Sequence, residues 1–108
     1  FGPVVCCLKF KDEDDAVHIA NDSAFGLGAG IFTENTRRAI RVSNRLQAGS
    51  VYINTYRQVS YMSPFGGYKQ SGIGRENGSE AIREYLQTKS VWLSLSDTPP
   101  PTFGKPYG

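Results

Sequence analysis

Hydrophobic and polar positions follow one another along the chain with the spacing of strands and helices in turn. Residues 4–10 form an almost continuous apolar run, which is typical of a buried strand. Acidic residues follow at 12–15, and they favour a helix start because they satisfy its free amides and its dipole. The apolar positions beyond them have helical spacing, which predicts a first helix that ends near Asn21.

The succession of a strand and a helix then repeats. A second strand is predicted at residues 29–32, a second helix at 36–47 and a third strand at 50–54. Gly49 stands where a left-handed cap would end the second helix. One face of this helix is apolar, and we interpret the other as solvated, with a phosphate-binding face as the alternative. That second face carries four arginines, Arg37, Arg38, Arg41 and Arg45.

Strands and helices that alternate over such short connections predict an α/β fold built from a parallel βαβαβ arrangement. The crossovers of such units are right-handed. Ligands of parallel sheets gather beyond the carboxyl ends of the strands, and the chain enters a long loop there, just after Asn54. We therefore expect the functional site in that loop.

The loop contains a glycine-rich segment, residues 64–78, in which five of fifteen residues are glycine. Glycine at this density disfavours both a helix and a central strand. Large side chains such as Phe65, Tyr68 and Arg75 distinguish the segment from a flexible linker. A long loop of this kind within a compact domain is usually functional, and an irregular connection without a function is the alternative.

A third helix and a fourth strand are predicted after the loop. Ser79 can cap the helix, and alternating apolar residues at 90–95 indicate the strand. The apolar side chains of that strand, Val91, Leu93 and Leu95, share one face. The proline-rich tail at 96–108 is expected to be extended and to lack regular structure.

Composition indicates one globular domain, because the 108 residues are 39% hydrophobic and 20% charged. No apolar run approaches the roughly 20 residues of a membrane span. A net charge of +2 with mixed signs does not favour nucleic acid, which selects a clustered basic face. The chain begins at the edge of a predicted strand without Met, so we expect it to be part of a longer protein.

The two cysteines, Cys6 and Cys7, are adjacent. In a strand they would point to opposite faces, so a disulfide between them would be strained. We interpret both as small apolar strand residues, with a reactive thiol as the alternative. His18 is the single histidine and no C-x-x-C pair occurs, so a zinc site is not expected. This composition suits a reducing, cytoplasmic compartment.

Four segments resemble signatures of the aldehyde dehydrogenase family, and they occur in the family's order. Residues 1–4, Phe-Gly-Pro-Val, resemble the end of its Glu-x-Phe-Gly-Pro signature, and residues 21–27 resemble its Asn-x-x-x-x-Gly-Leu segment. Residues 46–54 and 64–76 match closely, the latter as Pro-Phe-Gly-Gly-Tyr-Lys-Gln-Ser-Gly-Ile-Gly-Arg-Glu. The resemblance covers residues 1 to about 95, and several motifs in one order are more specific than one glycine-rich run.

This resemblance implies oxidation of an aldehyde to a carboxylic acid with NAD or NADP. A cysteine thiolate attacks the aldehyde, a hydride passes to the nicotinamide, and a glutamate activates water against the thioester. The resemblance places both groups upstream of this chain. We therefore assign neither Cys6 nor Cys7 as the nucleophile, and we expect the isolated chain to be inactive.

The resemblance also implies an organisation and an assembly. Residues 1–87 would form the C-terminal part of the catalytic domain, 88–95 an oligomerisation strand and 96–108 the tail. The enzyme would be a cytoplasmic homo-oligomer, a dimer or a tetramer, whose substrate is a small aldehyde and which has no nucleic-acid or membrane partner.

Several residues acquire roles from the resemblance. Phe1 would lie against the nicotinamide-ribose end of the cofactor. Three residues would line the aldehyde pocket, which suits apolar side chains in general: Val59, Tyr61 and Phe65. For these three, core packing is the alternative.

Other residues would support the site. Asn54 would orient loop backbone, and Arg75 and Glu76 would belong to a buried ionic network whose partners lie on other segments or another subunit. Many family members have Glu where this chain has Gln87, which cannot supply that charge. Glu84, or a group from elsewhere, is the candidate replacement.

Two other classes of function stay open. A self-standing nucleotide-binding module would use the glycine loop for phosphate, but the chain has no Gly-x-x-x-x-Gly-Lys-Ser/Thr motif. Gly72 and Gly74 also lack a third glycine at Rossmann spacing. A purely structural domain would associate through its last strand, whose edge lacks a partner in this chain.

Overall fold

The computed structural model describes residues 2–95 and 97–98. Its first elements are α1 (Glu13–Asn21), β1 (Phe25–Gly26), β2 (Gly28–Ile31) and α2 (Thr36–Ser43). They are followed by β3 (Ser50–Ile53), β4 (Tyr68–Lys69) and a 3₁₀ helix (Ser79–Tyr85). Phe1 and most of the tail, residues 96 and 99–108, lie outside the described residues.

The strands β2 and β3 are parallel, with Gly28 opposite Ser50 and Ile31 opposite Ile53. Because α2 lies between them in the chain, they form the βαβ unit that the pattern of apolar positions predicts. The hydrogen-bond ladder extends one step beyond each end of the pair. At the amino end the Gly49 amide donates to the Gly26 carbonyl at 3.0 Å, and at the carboxyl end the Asn54 amide donates to the Ile31 carbonyl at 2.8 Å.

Both α-helices begin with a capping side chain. Asp12 accepts a hydrogen bond from the Asp15 amide at 2.9 Å, and Asn35 accepts one from the Arg38 amide at 2.9 Å. Each bond satisfies one of the amides that a helix start leaves without an internal partner. The acidic start predicted for the first helix is therefore confirmed.

The second helix is shorter than predicted, because α2 ends at Ser43 and not at residue 47. Asn21 explains the early end. Its side-chain amide donates to the Arg45 carbonyl at 2.9 Å, and its side-chain oxygen accepts from the Gln47 amide at 2.8 Å. These bonds occupy backbone groups that further helical turns would use, and so the chain turns towards β3.

Two predicted strands are wrong. Residues 4–10 and 90–95 have no strand assignment, and their apolar side chains are exposed. The physical reason is pairing, because a strand is stable only when a neighbour satisfies its backbone groups. Neither run belongs to one of the two sheets of the described residues, which consist of β1 with β4 and of β2 with β3. The apolar pattern thus indicates a tendency to be buried without specifying the partner.

Local predictions around the loop also need correction. Phe25 and Gly26, which lie outside every predicted strand, form β1 and pair with β4. The third helix is a 3₁₀ helix, and its Ser79 does not cap it, because Gly78 stands at the cap position with no side-chain hydrogen bond. Gly49 is not among the left-handed residues.

The core of the described chain is small. Val17 of α1 and Ala39 of α2, which are 6% and 3% exposed, are its buried apolar side chains among the described residues. No helix within residues 2–95 and 97–98 has the length and apolar character to cross a bilayer.

Candidate functional site

The glycine-rich segment, residues 64–78, is docked on the connection between α1 and β2. Strand β4 pairs antiparallel with β1, which places Lys69 opposite Phe25 and Tyr68 opposite Gly26. The next residue continues the contact, since the Gln70 amide donates to the Ala24 carbonyl at 2.9 Å. The docking therefore involves the segment that precedes β2.

This placement corrects the expected position of the glycine-rich segment. The loop does begin at the carboxyl end of β3, but its glycine-rich part returns to the amino ends of β2 and β3. Close packing at Gly49, just before β3, shows the return, because a Cβ on this residue would overlap the Gly66 carbonyl. Gly49 is therefore required by the close approach of two backbones, and not by a left-handed cap.

Side chains of Lys69 and Ser71 strengthen the docking. The Lys69 ammonium donates to the carbonyl oxygens of Asn21 at 2.7 Å and Ser23 at 3.0 Å, at the end of α1. The Ser71 hydroxyl accepts from the Gly26 amide at 3.0 Å. Sequence reasoning assigned no role to Lys69, Ser71 or Asn21, because hydrogen bonds between residues more than 40 positions apart leave no local pattern.

The segment closes on itself at Phe65 and Glu76. Their backbones form an antiparallel bridge in which each amide donates to the other's carbonyl at 2.7 Å. Inside this closed loop, Arg75 donates to the carbonyls of Gly67 at 3.0 Å and Gly74 at 2.6 Å. Its guanidinium carbon lies 5.6 Å from the centre of the Tyr68 ring, which is a cation–π distance.

A cleft of about 610 Å³ opens between this closed loop and the 3₁₀ helix. Phe65, Arg75 and Glu76 line it from the loop. Glu84 and Tyr85 line it from the helix. Apolar, aromatic and charged side chains therefore face one another across a volume that is typical of small-molecule sites.

The predicted pocket residues are not all brought together. Phe65 is half-buried and lines the cleft. Val59 and Tyr61 are 66% and 82% exposed and do not line it. The Tyr61 backbone nevertheless contacts the end of the segment, because its carbonyl accepts from the Gly78 amide at 2.8 Å.

Asn54 has a left-handed backbone, with φ of 53°. Its side-chain oxygen accepts from the Thr33 amide at 2.8 Å, and its side-chain nitrogen donates to the Thr33 carbonyl at 2.9 Å. The side chain thus continues the β2–β3 ladder where the backbone of Asn54 turns away. These bonds hold the β2–α2 connection, so an effect of Asn54 on the long loop stays a prediction.

An ionic network at Arg75 and Glu76 is not present among the described residues. Arg75 bonds backbone carbonyls, and Glu76 is exposed. The Glu84 carboxylate lies close to Gly74, but within residues 2–95 and 97–98 no ion pair joins it to Arg75. Whether Glu84 replaces the charge absent at Gln87 therefore stays a prediction.

The arginine face of α2 is exposed, as predicted, but three of its residues also bind α1. Arg41 forms a two-pronged ion pair with Glu13, with both distances 2.6 Å. Arg38 and Arg45 lie 3.7 and 3.8 Å from the same carboxylate. The hydrogen bonds from Arg41 lower the pKa of Glu13, and the three positive charges act in the same direction. Two carboxylates of α1 thus compensate part of the positive charge of this face, which disfavours a phosphate site.

A parallel βαβ unit with a glycine-rich loop folded back against it, and a cleft beside that loop, defines an α/β protein with a loop-built site. The chain belongs to the aldehyde dehydrogenase family, whose model, "Aldehyde dehydrogenase family", matches residues 1–91. The resemblance found in the sequence motifs is therefore confirmed.

Among curated relatives, an aldehyde dehydrogenase of Emericella nidulans is 55% identical over 97 residues, which is 90% of this chain and 20% of that protein. An aldehyde dehydrogenase of Aspergillus niger is 54% identical over 97 residues, again 90% of this chain and 20% of that protein. The chain thus spans 20% of the length of these relatives.

Solved structures of aldehyde dehydrogenases are also similar to this chain. An aldehyde dehydrogenase of Bacillus cereus in complex with NAD⁺ matches with a TM-score of 0.81 and 48% identity, over 89% of this chain and 20% of that one. A betaine aldehyde dehydrogenase of Staphylococcus aureus, also in complex with NAD⁺, matches with a TM-score of 0.78 and 46% identity. This match covers 82% of the present chain and 17% of that one.

Proposed function

We propose that these residues form the C-terminal part of an NAD- or NADP-dependent aldehyde dehydrogenase that oxidises an aldehyde to a carboxylic acid. The observation that carries this proposal is the fold match over 89% of the chain to an aldehyde dehydrogenase solved with NAD⁺. Sequence identity of 48% in that match makes a shared chemistry the expected outcome. The enzyme would act in the cytoplasm as a homo-oligomer.

The chain's own contribution is binding and positioning. NAD⁺ or NADP⁺, when bound, supplies the hydride acceptor of the reaction. Phe1, which we assign to the nicotinamide-ribose end of the cofactor, lies outside the described residues. Phe65, with Val59 and Tyr61, would form the aldehyde wall, because aromatic and apolar side chains exclude water from a reacting carbonyl.

The thiol and the base of the reaction are assigned to other parts of the enzyme. Cys6 and Cys7 are exposed in an irregular segment, and neither belongs to the closed loop beside the cleft. A thiol becomes an effective nucleophile only beside a base or a positive charge that favours its thiolate form. We therefore propose that the 108-residue chain alone is not an enzyme.

The test measures formation of NADH from NAD⁺ and of NADPH from NADP⁺ with a panel of aldehydes, for the full-length enzyme and for the 108-residue chain at high concentration. We expect turnover by the full-length enzyme and none by the chain. Turnover by the chain that disappears in Cys6→Ala or Cys7→Ala would overturn the assignment. Absence of turnover in the full-length enzyme with both NAD⁺ and NADP⁺ would overturn the proposed function itself.

A structural module that acts only by association is the second candidate. The exposed apolar side chains of residues 91–95 favour it, since Val91, Leu93 and Leu95 are 82% to 91% exposed. A nucleotide-binding module has less support. Arg75 is the cation of the glycine-rich loop nearest the cleft, and it already donates to Gly67 and Gly74.

A further inference from the structure

Lys69 binds the C-terminal end of α1 through its side chain. Its ammonium donates to the carbonyls of Asn21 and Ser23 at 2.7 and 3.0 Å. The last carbonyls of a helix carry partial negative charge and have no partner within the helix. A lysine ammonium is well suited to this position, and its hydrogen bonds are strengthened by its charge.

The backbone of Lys69 is in the left-handed region, with φ of 55°. A residue with a Cβ disfavours this conformation, which persists where surrounding contacts enforce it. The turn that contains it is closed by the Ser71 amide, which donates to the Tyr68 carbonyl at 3.1 Å. The contacts of the ammonium and the turn thus hold Lys69 in a conformation that it would not adopt alone.

Asn21 connects this contact to the rest of the βαβ unit. Its carbonyl receives Lys69, while its side chain bonds the backbone of Arg45 and Gln47 between α2 and β3. One residue therefore joins the end of α1, the approach to β3 and the glycine-rich loop.

A short series of contacts leads from Lys69 to the cleft. Tyr68, beside it in β4, lies under the Arg75 guanidinium, which in turn bonds the Gly67 and Gly74 carbonyls. Arg75 adjoins Glu76, whose backbone is paired with Phe65 in the cleft wall. A displacement of β4 would therefore be transmitted to the position of Phe65.

From these contacts we propose that Lys69 is a positioning residue: it fixes the glycine-rich loop on the end of α1 and so sets the place of Phe65 in the aldehyde pocket. The role in the pocket rests on the proposed function. The docking of the loop by Lys69 does not rest on the proposed function, because hydrogen exchange of the loop amides can be measured without enzyme activity.

The test uses the full-length enzyme with Lys69→Met, Lys69→Gln and Lys69→Arg. Methionine keeps a long unbranched side chain without hydrogen-bond donors, and glutamine keeps donors without the charge. Arginine keeps the donors and the charge. We expect Lys69→Met to raise KM for the aldehyde roughly tenfold with a smaller change in kcat, since misplacement of a binding wall weakens substrate binding first. Lys69→Arg should have a KM close to that of the parent enzyme. The KM of Lys69→Gln should lie between those of Lys69→Arg and Lys69→Met.

The control is Lys11→Met, because the Lys11 side chain is exposed and the hydrogen bond to Asp15 comes from the Lys11 backbone amide, which the substitution keeps. A double-mutant cycle of Lys69→Met with Phe65→Ala measures whether Lys69 acts through Phe65. We expect the combined loss to be clearly smaller than the product of the single losses. An unchanged KM in Lys69→Met, or a multiplicative cycle, would overturn the role in the pocket.

Hydrogen exchange of the backbone amides provides the second readout. The Gln70 and Gly26 amides, which bond Ala24 and Ser71, should exchange faster in Lys69→Met and retain their protection in Lys69→Arg. Unchanged protection in both Lys69→Met and Lys69→Gln would overturn the docking role. If the parent enzyme oxidises no aldehyde, the proposed function fails, while the exchange of these amides still decides whether Lys69 positions the loop.

Discussion

Individual glycines of the chain have different physical requirements. A Cβ on Gly49 would overlap the Gly66 carbonyl, whereas a Cβ on Gly28 would lie 3.6 Å from the Tyr52 ring, an ordinary contact. Gly72 and Gly74, in contrast, have φ of 118° and 78°, which residues with a Cβ rarely adopt. Space therefore constrains the first position, and backbone conformation constrains the last two.

Gly49→Ala should destabilise the protein because the loop must move away from the amino end of β3. We expect a loss of about 1–3 kcal/mol in the free energy of unfolding, the usual cost of forcing a group into a packed region. Chemical denaturation of the full-length enzyme measures the loss. Gly28→Ala is the matched control and should be close to neutral, so equal losses in the two variants would contradict the close approach.

Phe65→Ala tests the cleft wall. Because Phe65 lines the cleft and is only half-buried, its loss should alter recognition more than folding. We expect the ranking of kcat/KM among aldehydes of different size to change by roughly tenfold, with a fall in Tm of only a few degrees. Steady-state kinetics and thermal unfolding of the full-length enzyme provide both values. A large fall in Tm with an unchanged ranking would assign Phe65 to the core.

At the scale of elements, α1 and α2 are joined by charge. Glu13 of α1 contacts Arg38, Arg41 and Arg45 of α2, and Asp14 adds a 2.7 Å pair to Arg45. A shared carboxylate orders several side chains at once, which makes such a network more effective than isolated surface pairs. Its arginines come from a face that the amphipathic pattern alone identifies as solvent-facing.

The lowered pKa of Glu13 predicts a pH dependence with a definite sign. The folded state binds the Glu13 proton more weakly than the unfolded chain does, so the network stabilises the fold above about pH 4.5, the ordinary pKa of a glutamate. This stabilisation should be lost as the pH falls below that value through the lowered pKa. In Glu13→Gln the contribution is absent at every pH, so the variant should be less stable than the parent at pH 7 and approach it in acid.

Urea unfolding of the full-length enzyme at several pH values measures that difference. Asp14→Asn is the control, because Asp14 is more exposed and pairs with Arg45 alone among the described arginines. We expect Asp14→Asn to lower the stability at pH 7 by less than Glu13→Gln does. A Glu13→Gln variant whose deficit stays constant from pH 7 to pH 3 would contradict the role of the carboxylate.

For the whole molecule, the surface area shows how little of the apolar pattern is satisfied by this chain alone. The accessible surface is 10097 Å², whereas a folded monomer of 11.9 kDa exposes roughly 6,000 Å². Among the described residues, 22 large apolar side chains are exposed, and eight of them lie in the two short runs that were predicted to be strands, 4–10 and 90–95. Exposed apolar surface on this scale favours association.

We therefore predict that the isolated chain forms dimers or larger assemblies, with residues 91–95 at the contact. A partner's strand could pair with this segment and cover its exposed apolar side chains, and exchange of the segment between copies is one way to supply that strand. Sedimentation at several concentrations tests the prediction. Leu93→Lys should weaken association by about tenfold or more, while Asn44→Lys, an exposed control outside this segment, should not. A chain that remains monomeric at every concentration would contradict it.

The sequence by itself determined that α1 and α2 exist and where they begin, the parallel β2–β3 pair and the family. Helix caps at Asp12 and Asn35 act within one turn, and apolar periodicity acts within one element, so both can be recognised along the chain. The family motifs depend on several such local features in a fixed order. Phe65 could be singled out for the same reason, because it belongs to a motif.

Only the tertiary structure decided where the glycine-rich loop returns and what holds it there. Lys69 reaches Asn21 across 48 positions, Gly49 meets Gly66, and Glu13 gathers arginines from another helix. The structure also decided that residues 4–10 and 90–95 belong to neither of the two sheets of the described residues. The physical reason is common to all of these cases: pairing and close approach are properties of two segments in space, while a sequence pattern describes one segment at a time.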